Sequence, residues 1–118
     1  MRKVYYLNTC STCNRIIKDL GLGDDFEFQN IKEAGITPEQ LDAMYEKVGS
    51  YEALFSRRSM KFREWGLKEM QLTEADYRKY ILEEYTFLKR PVIWIGDEIF
   101  VGNAKKTVES AREALGNP

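Results

Sequence analysis

Cys10 and Cys13 are the only two thiols in the chain and stand three apart in Thr9-Cys10-Ser11-Thr12-Cys13. Such a pair can be a structural disulfide, half of a zinc site, or a reactive dithiol. Structural disulfides are rare in the reducing cytosol, and one closing so short a loop removes little unfolded-state entropy. Tetrahedral zinc needs four protein ligands, or three and a water. The sequence holds no histidine and no further cysteine, so a metal site fails on ligand count. Thiol redox chemistry remains, beside the plainer alternative of two small core thiols with no role.

The flanking residues decide how such a pair would react. Lys3-Val4-Tyr5-Tyr6-Leu7 reads as a buried strand. Residues 14–20 place Ile16, Ile17 and Leu20 on one helical face, with Gly21 as a stop signal. The thiols therefore fall where a strand hands over to a helix. There the Cys10 sulfur lies near backbone N–H groups without intrahelical partners, at the positive end of the helix dipole. Both favour the thiolate, which is the attacking species. Cys13 lies one turn in, on the same side and within disulfide reach, so the pair reads as an attacking and a resolving thiol.

With 118 residues the chain has room for one domain, 1–118, with its own core. A formal net charge of −1 provides no global field for nucleic acid or an anionic membrane. Met1-Arg2-Lys3 runs straight into an apolar stretch too short for a signal peptide, and no run approaches membrane-spanning length. A cytoplasmic protein with no direct nucleic-acid or membrane partner is expected.

Residues 21–25 read as a turn, and Phe26-Glu27-Phe28-Gln29 alternates as a half-exposed strand does. Thr37-Pro38-Glu39-Gln40 opens a helix, with Thr37 as N-cap, Pro38 at the first helical position and Gln40 completing a capping box. Leu41, Met44, Tyr45 and Val48 form its buried face and Gly49 ends it. Tyr51, Leu54 and Phe55 suggest a short helix, and Phe62 and Trp65 mark a further turn closed by Gly66. Thr73-Glu74-Ala75-Asp76 starts a helix carrying Tyr77, Ile81 and Tyr85 inward. Val92–Ile95 and Glu98–Val101 flank a Gly96-Asp97 hairpin turn. Asn103 is expected to cap a last helix that presents Val108, Ala111 and Leu115.

The resulting order is βαβ, a helical insertion over about residues 37–88, then ββα. That is the thioredoxin-like plan: an α/β fold on a four-stranded mixed sheet in the order 2-1-3-4, with strands three and four set antiparallel to the first two. Arg90-Pro91 would begin strand three. In folds of this plan that proline is typically cis and faces the cysteines, and an X-Pro bond is the common route to a cis peptide.

Other residues carry charge that thiol chemistry could use. Arg57 and Arg58 belong to a basic cluster with Lys61 and Arg63, which alone reads as a solvated helix face. Arg90, next to Pro91, would sit beside the thiols, where an arginine can hold an oxyanion and lower the Cys10 pKa; its alternative is a surface salt bridge. Gly102-Asn103 could offer backbone N–H groups to an anion, or be only a turn and cap.

Four segments, in order across nearly the whole chain, resemble one family. Tyr6-Leu7-Asn8-Thr9-Cys10-Ser11-Thr12-Cys13, Ser56-Arg57-Arg58-Ser59, Phe87-Leu88-Lys89-Arg90-Pro91-Val92-Ile93 and Val101-Gly102-Asn103 look like the arsenate reductase (ArsC)/Spx family. The resemblance implies a thioredoxin-like fold whose first cysteine is nucleophilic and whose arginines bind the oxyanion. By position the nucleophile is Cys10, the arginine of the insertion falls best on Arg58 with Arg57 as the alternative, and the arginine before the proline is Arg90. Three positions depart from the glutaredoxin-linked arsenate reductases. Tyr6 replaces a histidine, Cys13 replaces a serine, and Gly102-Asn103 stands near where those enzymes place a further arginine. The Cys-x-x-Cys and Val-Gly-Asn segments are closer to the Spx branch, whose members bind RNA polymerase and sense disulfide stress.

The expected function is thus an arsenate reductase-like thiol-disulfide oxidoreductase acting on an oxyanion or a disulfide. Arg58 and Arg90 would offset charge, and glutathione, glutaredoxin or thioredoxin would serve as reductant. No bound cofactor or metal is implied. The alternatives are a redox-sensing transcriptional regulator of the Spx type that binds RNA polymerase, and a glutaredoxin-like reductase of glutathione mixed disulfides. In the last, Arg90-Pro91 and Gly102-Asn103 would contact glutathione.

Overall fold

The computed structural model describes residues 1–116. In chain order the elements are β1 (Arg2–Tyr6), α1 (Ser11–Leu20), β2 (Glu27–Asn30), α2 (Pro38–Val48), α3 (Met60–Glu64), α4 (Glu74–Glu83), β3 (Val92–Ile95), β4 (Glu98–Val101) and α5 (Lys105–Ala114). Single 3-10 turns occur at Glu52–Leu54, Leu67–Glu69 and Tyr85–Phe87. The chain forms two compact units, one from Met1–Ala34 with the chain from Arg90 onward, the other from Gly35–Lys89. No helix among the described residues is long and apolar enough to cross a membrane.

The first unit holds the sheet, in the order β2-β1-β3-β4, and it is thioredoxin-like. β1 pairs parallel with β2, Val4 opposite Phe28, and antiparallel with β3, Val4 opposite Ile93. β3 in turn pairs antiparallel with β4. β4 therefore runs in the same sense as β1, and only β3 opposes the first two strands. The expectation that both late strands oppose them fails because the two-residue turn at Gly96-Asp97 reverses the chain once more. Gly96, at φ 65°, supplies the positive φ wanted at the first position of such a turn.

Alternation along the strands sends Val4, Ile93 and Ile95 to one face, where they bury against Ile16 and Leu20 of α1, Ala111 of α5, and Leu22 and Phe26. Phe26 belongs to this core rather than to the strand. Its N–H donates to Gly23 O at 3.0 Å, which holds it in the preceding turn, so β2 starts one residue later than the alternation implies. Gly21 ends α1 in the left-handed region at φ 67°, its N–H reaching Ile17 and Lys18 carbonyls. At α5 the N-cap is Ala104, not Asn103, and no side chain caps the helix. Gly102, at φ 90°, and Asn103 are spent on the turn that leaves β4, with Gly102 N–H donating to Pro91 O at 2.9 Å. The Asn103 carboxamide is thus one residue out of register for the helix amides.

The second unit is helical. Thr37 and Gln40 cap α2 reciprocally, each backbone N–H donating to the other's side chain at 3.1 Å. Leu41 and Met44 are buried, and Gly49 closes the helix at φ 85°. Thr73 and Asp76 repeat the arrangement at α4. Asp42 ties α2 to its neighbours by accepting from Tyr51 Oη at 2.6 Å and from Arg78 Nε and Nη2 at 2.9 and 3.0 Å. Inside, Phe55 stacks on Phe87 at 4.9 Å, with Tyr77 edge-on to Phe55 at 5.0 Å. Tyr85, expected on the inner face of α4, instead lies beyond the helix end and is half-buried, and Phe87 takes the interior place. Because the Thr37 hydroxyl satisfies a helix amide with no intrahelical partner, Thr37→Ala is expected to cost about 1 kcal/mol. A lowered urea midpoint with unchanged m-value is the check, and an unchanged midpoint would refute it.

Candidate active site

The thiol pair is set by the turn between β1 and α1. Cys10 N–H donates to Leu7 O at 3.0 Å, and the Asn14 carboxamide reaches back to Asn8 O at 2.9 Å, pinning the loop onto the first turn of the helix. Cys10 is itself the N-cap, at φ −92° and ψ 109°, and its Sγ accepts the Cys13 backbone N–H at 3.4 Å. The sulfur thus occupies the place that a serine or aspartate oxygen usually takes at a helix start. Ser11 and Thr12 offer more usual capping oxygens, but the backbone angles give the cap to Cys10, where the strand-to-helix reading places its sulfur beside the open helix amides. Cys10 is half-buried, Cys13 fully buried, and both are free thiols.

These surroundings split the two thiols. Burial disfavours the Cys10 thiolate, but hydrogen bonds from the Cys13 backbone and side chain, the Arg90 charge and the Thr12 N–H outweigh it, and the pKa falls below the ordinary thiol value. At Cys13 burial dominates. Helped by the hydrogen bond and charge of the neighbouring Cys10, and opposed by the Leu7 backbone and Arg90, it pushes that thiol up to about 11. The two sulfurs are thus displaced in opposite directions, Cys10 toward the thiolate and Cys13 away from it.

Arg90 acts electrostatically on both sulfurs, and the Arg90-Pro91 peptide bond is cis. Pro91 is buried, and its carbonyl accepts the Gly102 N–H. That N–H is therefore already used, so the Gly102-Asn103 pair cannot offer it to an anion. Asn103 is exposed beside it. In the second unit the two neighbouring arginines differ. Arg57 Nη2 donates to Glu52 Oε2 at 2.8 Å and to Tyr77 Oη at 2.7 Å, and its guanidinium lies 5.5 Å from the Tyr77 ring centroid. Arg58 is exposed and makes no ion pair among the described residues. Arg57's commitment escapes a sequence reading because Glu52 and Tyr77 lie five residues upstream and twenty downstream.

A sheet in this order with a Cys-x-x-Cys opening its first helix defines a thioredoxin-like protein. The sequence model of the ArsC family matches residues 5–111, and the chain belongs to that family. Comparison with curated proteins gives no match. Among solved structures the chain is similar to the YFFB protein, with TM-score 0.79, 22% identity, and 98% of this chain and 99% of that one covered. It is also similar to an arsenate reductase from Vibrio cholerae, with TM-score 0.73, 17% identity and coverage of 97% and 98%. A third is an arsenate reductase (ArsC) related protein from Brucella melitensis, with TM-score 0.68, 24% identity and coverage of 92% of both chains. At such identities the likeness is one of fold.

Proposed function

We propose that this chain is a thiol-disulfide oxidoreductase of the arsenate reductase type in which Cys10 attacks and Cys13 resolves. The observation that carries this reading is the Cys10 sulfur at the N-cap of α1, accepting the Cys13 N–H at 3.4 Å, with burial pushing Cys13 up to about 11 while Cys10 is displaced downward. A thiol shifted toward its thiolate beside one shifted away from it matches a division into nucleophile and resolver. With arsenate, the Cys10 thiolate forms an S–As bond and an arsenate oxygen leaves as water. Cys13 then attacks the Cys10 sulfur and gives up its proton. The S–S bond forms as the S–As bond breaks, and that electron pair stays on arsenic, which departs as arsenite. Two thiols are oxidised to one disulfide and As(V) is reduced to As(III). Glutathione, glutaredoxin or thioredoxin restores the dithiol, in a cytoplasmic setting.

Arg90, whose charge already reaches the Cys10 sulfur, and Arg58 would offset the oxyanion charge. The engagement of Arg57 with Glu52 and Tyr77 favours Arg58 as the anion ligand of the two. Asn103 is kept as a polar contact for substrate. A second reading, reduction of glutathione mixed disulfides, is favoured by Tyr6, which puts no imidazole before the thiols, and by Cys13, which lets the chain resolve its own intermediate.

One assay separates these. Reduced protein is incubated with arsenate and either glutathione and glutaredoxin or thioredoxin; arsenite is then measured and cysteine states are mapped by mass. Arsenite formation with a Cys10–Cys13 disulfide is the expected result. Turnover of a small glutathione mixed disulfide without arsenite would select the second reading. Peroxide oxidation of the pair with no turnover, together with capture of RNA polymerase, would select a redox-switched regulator. A Cys10 no more reactive than a free thiol, and never paired with Cys13, would sink all three.

A further inference from the structure

Residues 57–69 carry five cations, Arg57, Arg58, Lys61, Arg63 and Lys68, against Glu64 and Glu69. That is a net +3 within a chain of −1, so the remaining residues carry −4. Two of the five cations are engaged: Arg57 with Glu52, and Lys61 with Glu64 at 3.6 Å. Arg58, Arg63 and Lys68 make no ion pair among the described residues, and all three line one cavity of about 580 Å³. Met60 and Phe62 contribute apolar wall to the same cavity.

The apolar exposure of this stretch is as uneven as its charge. Met60 is 79% exposed, Met70 48% and Trp65 41%, and only Met1 and Phe28 join them as exposed large apolar side chains among the described residues. Trp65 spends part of its ring against Phe87 and Tyr80, but a basic face kept only for solubility has no use for Met60 at the groove's edge. Methionine, arginine and tryptophan are the types that enrich protein interfaces, methionine because it repacks against varied partners. The concavity matters too. A lipid surface takes up protruding apolar side chains, whereas a recess walled by four cations against one carboxylate, Glu64, which Lys61 already pairs, and closed with methionine and phenylalanine accepts a segment that projects into it.

We propose that this groove docks an acidic protein segment bearing an apolar side chain. Its carboxylates are set against Arg58, Arg63 and Lys68 and its apolar group against Met60 and Phe62. The proposal does not depend on the thiol chemistry, and its test leaves Cys10, Cys13, Arg90 and Arg58 untouched.

The probe is a fluorescein-labelled peptide of repeating Glu-Glu-Leu, titrated with the full reduced chain and read by fluorescence polarisation. Saturable binding is expected that weakens about ten-fold or more as salt rises from about 50 mM to about 300 mM. Arg63→Glu with Lys68→Glu should weaken it by a further factor of about ten or more. Met60→Ser should weaken it about three-fold with the charges intact. Both variants should keep the wild-type melting midpoint and Cys10 alkylation rate, which separates lost docking from lost folding. Several outcomes would overturn the proposal: no binding, equal binding by the charge-reversed chain, or equal binding of an all-glutamate peptide, which is ion exchange. So would self-association that the reversal abolishes in place of peptide binding. Binding only to vesicles of phosphatidylcholine and phosphatidylglycerol would assign the face to a membrane instead.

Discussion

Iodoacetamide at neutral pH will alkylate Cys10 and leave Cys13 unmodified, and Cys10→Ser will abolish turnover, a loss of at least about 10³-fold. Only the thiolate reacts, so the labelling rate follows each group's ionised fraction. Cys10 sits below the ordinary thiol value because the Cys13 hydrogen bonds and Arg90 outweigh its burial. Its rate should therefore level off at a lower pH than that of a free cysteine. Cys13, pushed up to about 11 by burial first and by Cys10 second, has only about 1% thiolate at pH 9. Because the sulfurs are hydrogen-bonded to one another, the measured midpoints belong to the pair. In Cys10→Ser the burial of Cys13 persists, so its labelling should stay slow rather than take over. Cys13→Ser should retain the fast Cys10 and, with no glutathione present to resolve the intermediate, stall the cycle with Cys10 joined to substrate. Equal labelling of both thiols, or a Cys10 midpoint at or above that of a free thiol, would refute the assignment of roles.

The same displacement sets a sign for stability. The folded chain holds Cys13 as the neutral thiol, while unfolding lets it ionise at the ordinary thiol value. Its contribution is therefore fully present below that value and is lost as pH rises through about 11. Cys10 acts in the opposite direction, since the fold favours its thiolate. The loss at alkaline pH should accordingly shrink in Cys13→Ser.

Much of this was legible in the chain because the signals are local. The Cys-x-x-Cys at a strand-to-helix junction, the Thr37-Pro38 helix start and the Gly96-Asp97 hairpin each need only a few adjacent residues, and each appears where expected. What escaped depends on register or on distant partners. Asn103 has the chemistry of a cap but sits one residue early, because Gly102 is drawn to the Pro91 carbonyl from across the unit. Arg57 and Arg58 are indistinguishable as letters, and only Glu52 and Tyr77 make one of them structural. Periodicity placed Tyr85 inside, but α4 ends at Glu83 and the following 3-10 turn rotates Phe87 inward instead.

Phe87 carries the largest expected stability effect. It is fully buried, stacks on Phe55 at 4.9 Å and meets the Trp65 ring edge-on at 5.3 Å. Its carbonyl also accepts the Ser56 N–H at 2.7 Å, next to a lone antiparallel bridge between Phe55 and Leu88. Phe87→Ala removes the ring and leaves a cavity that a closely packed aromatic cluster cannot collapse to fill, at an expected cost of about 3–5 kcal/mol. Against a typical total of about 5–15 kcal/mol that is a large fraction. Trp65→Ala, at a ring that is 41% exposed, should cost clearly less, since part of that ring already contacts water. Urea unfolding of the two variants tests the ranking, and a Phe87→Ala loss no greater than that of Trp65→Ala would refute it. Phe55 and the Ser56–Phe87 hydrogen bond directly precede Arg57 and Arg58, so loosening the cluster should loosen that segment as well. Hydrogen exchange should then rise at Ser56 in Phe87→Ala under conditions where the Val4–Ile93 pairing of β1 and β3 remains protected.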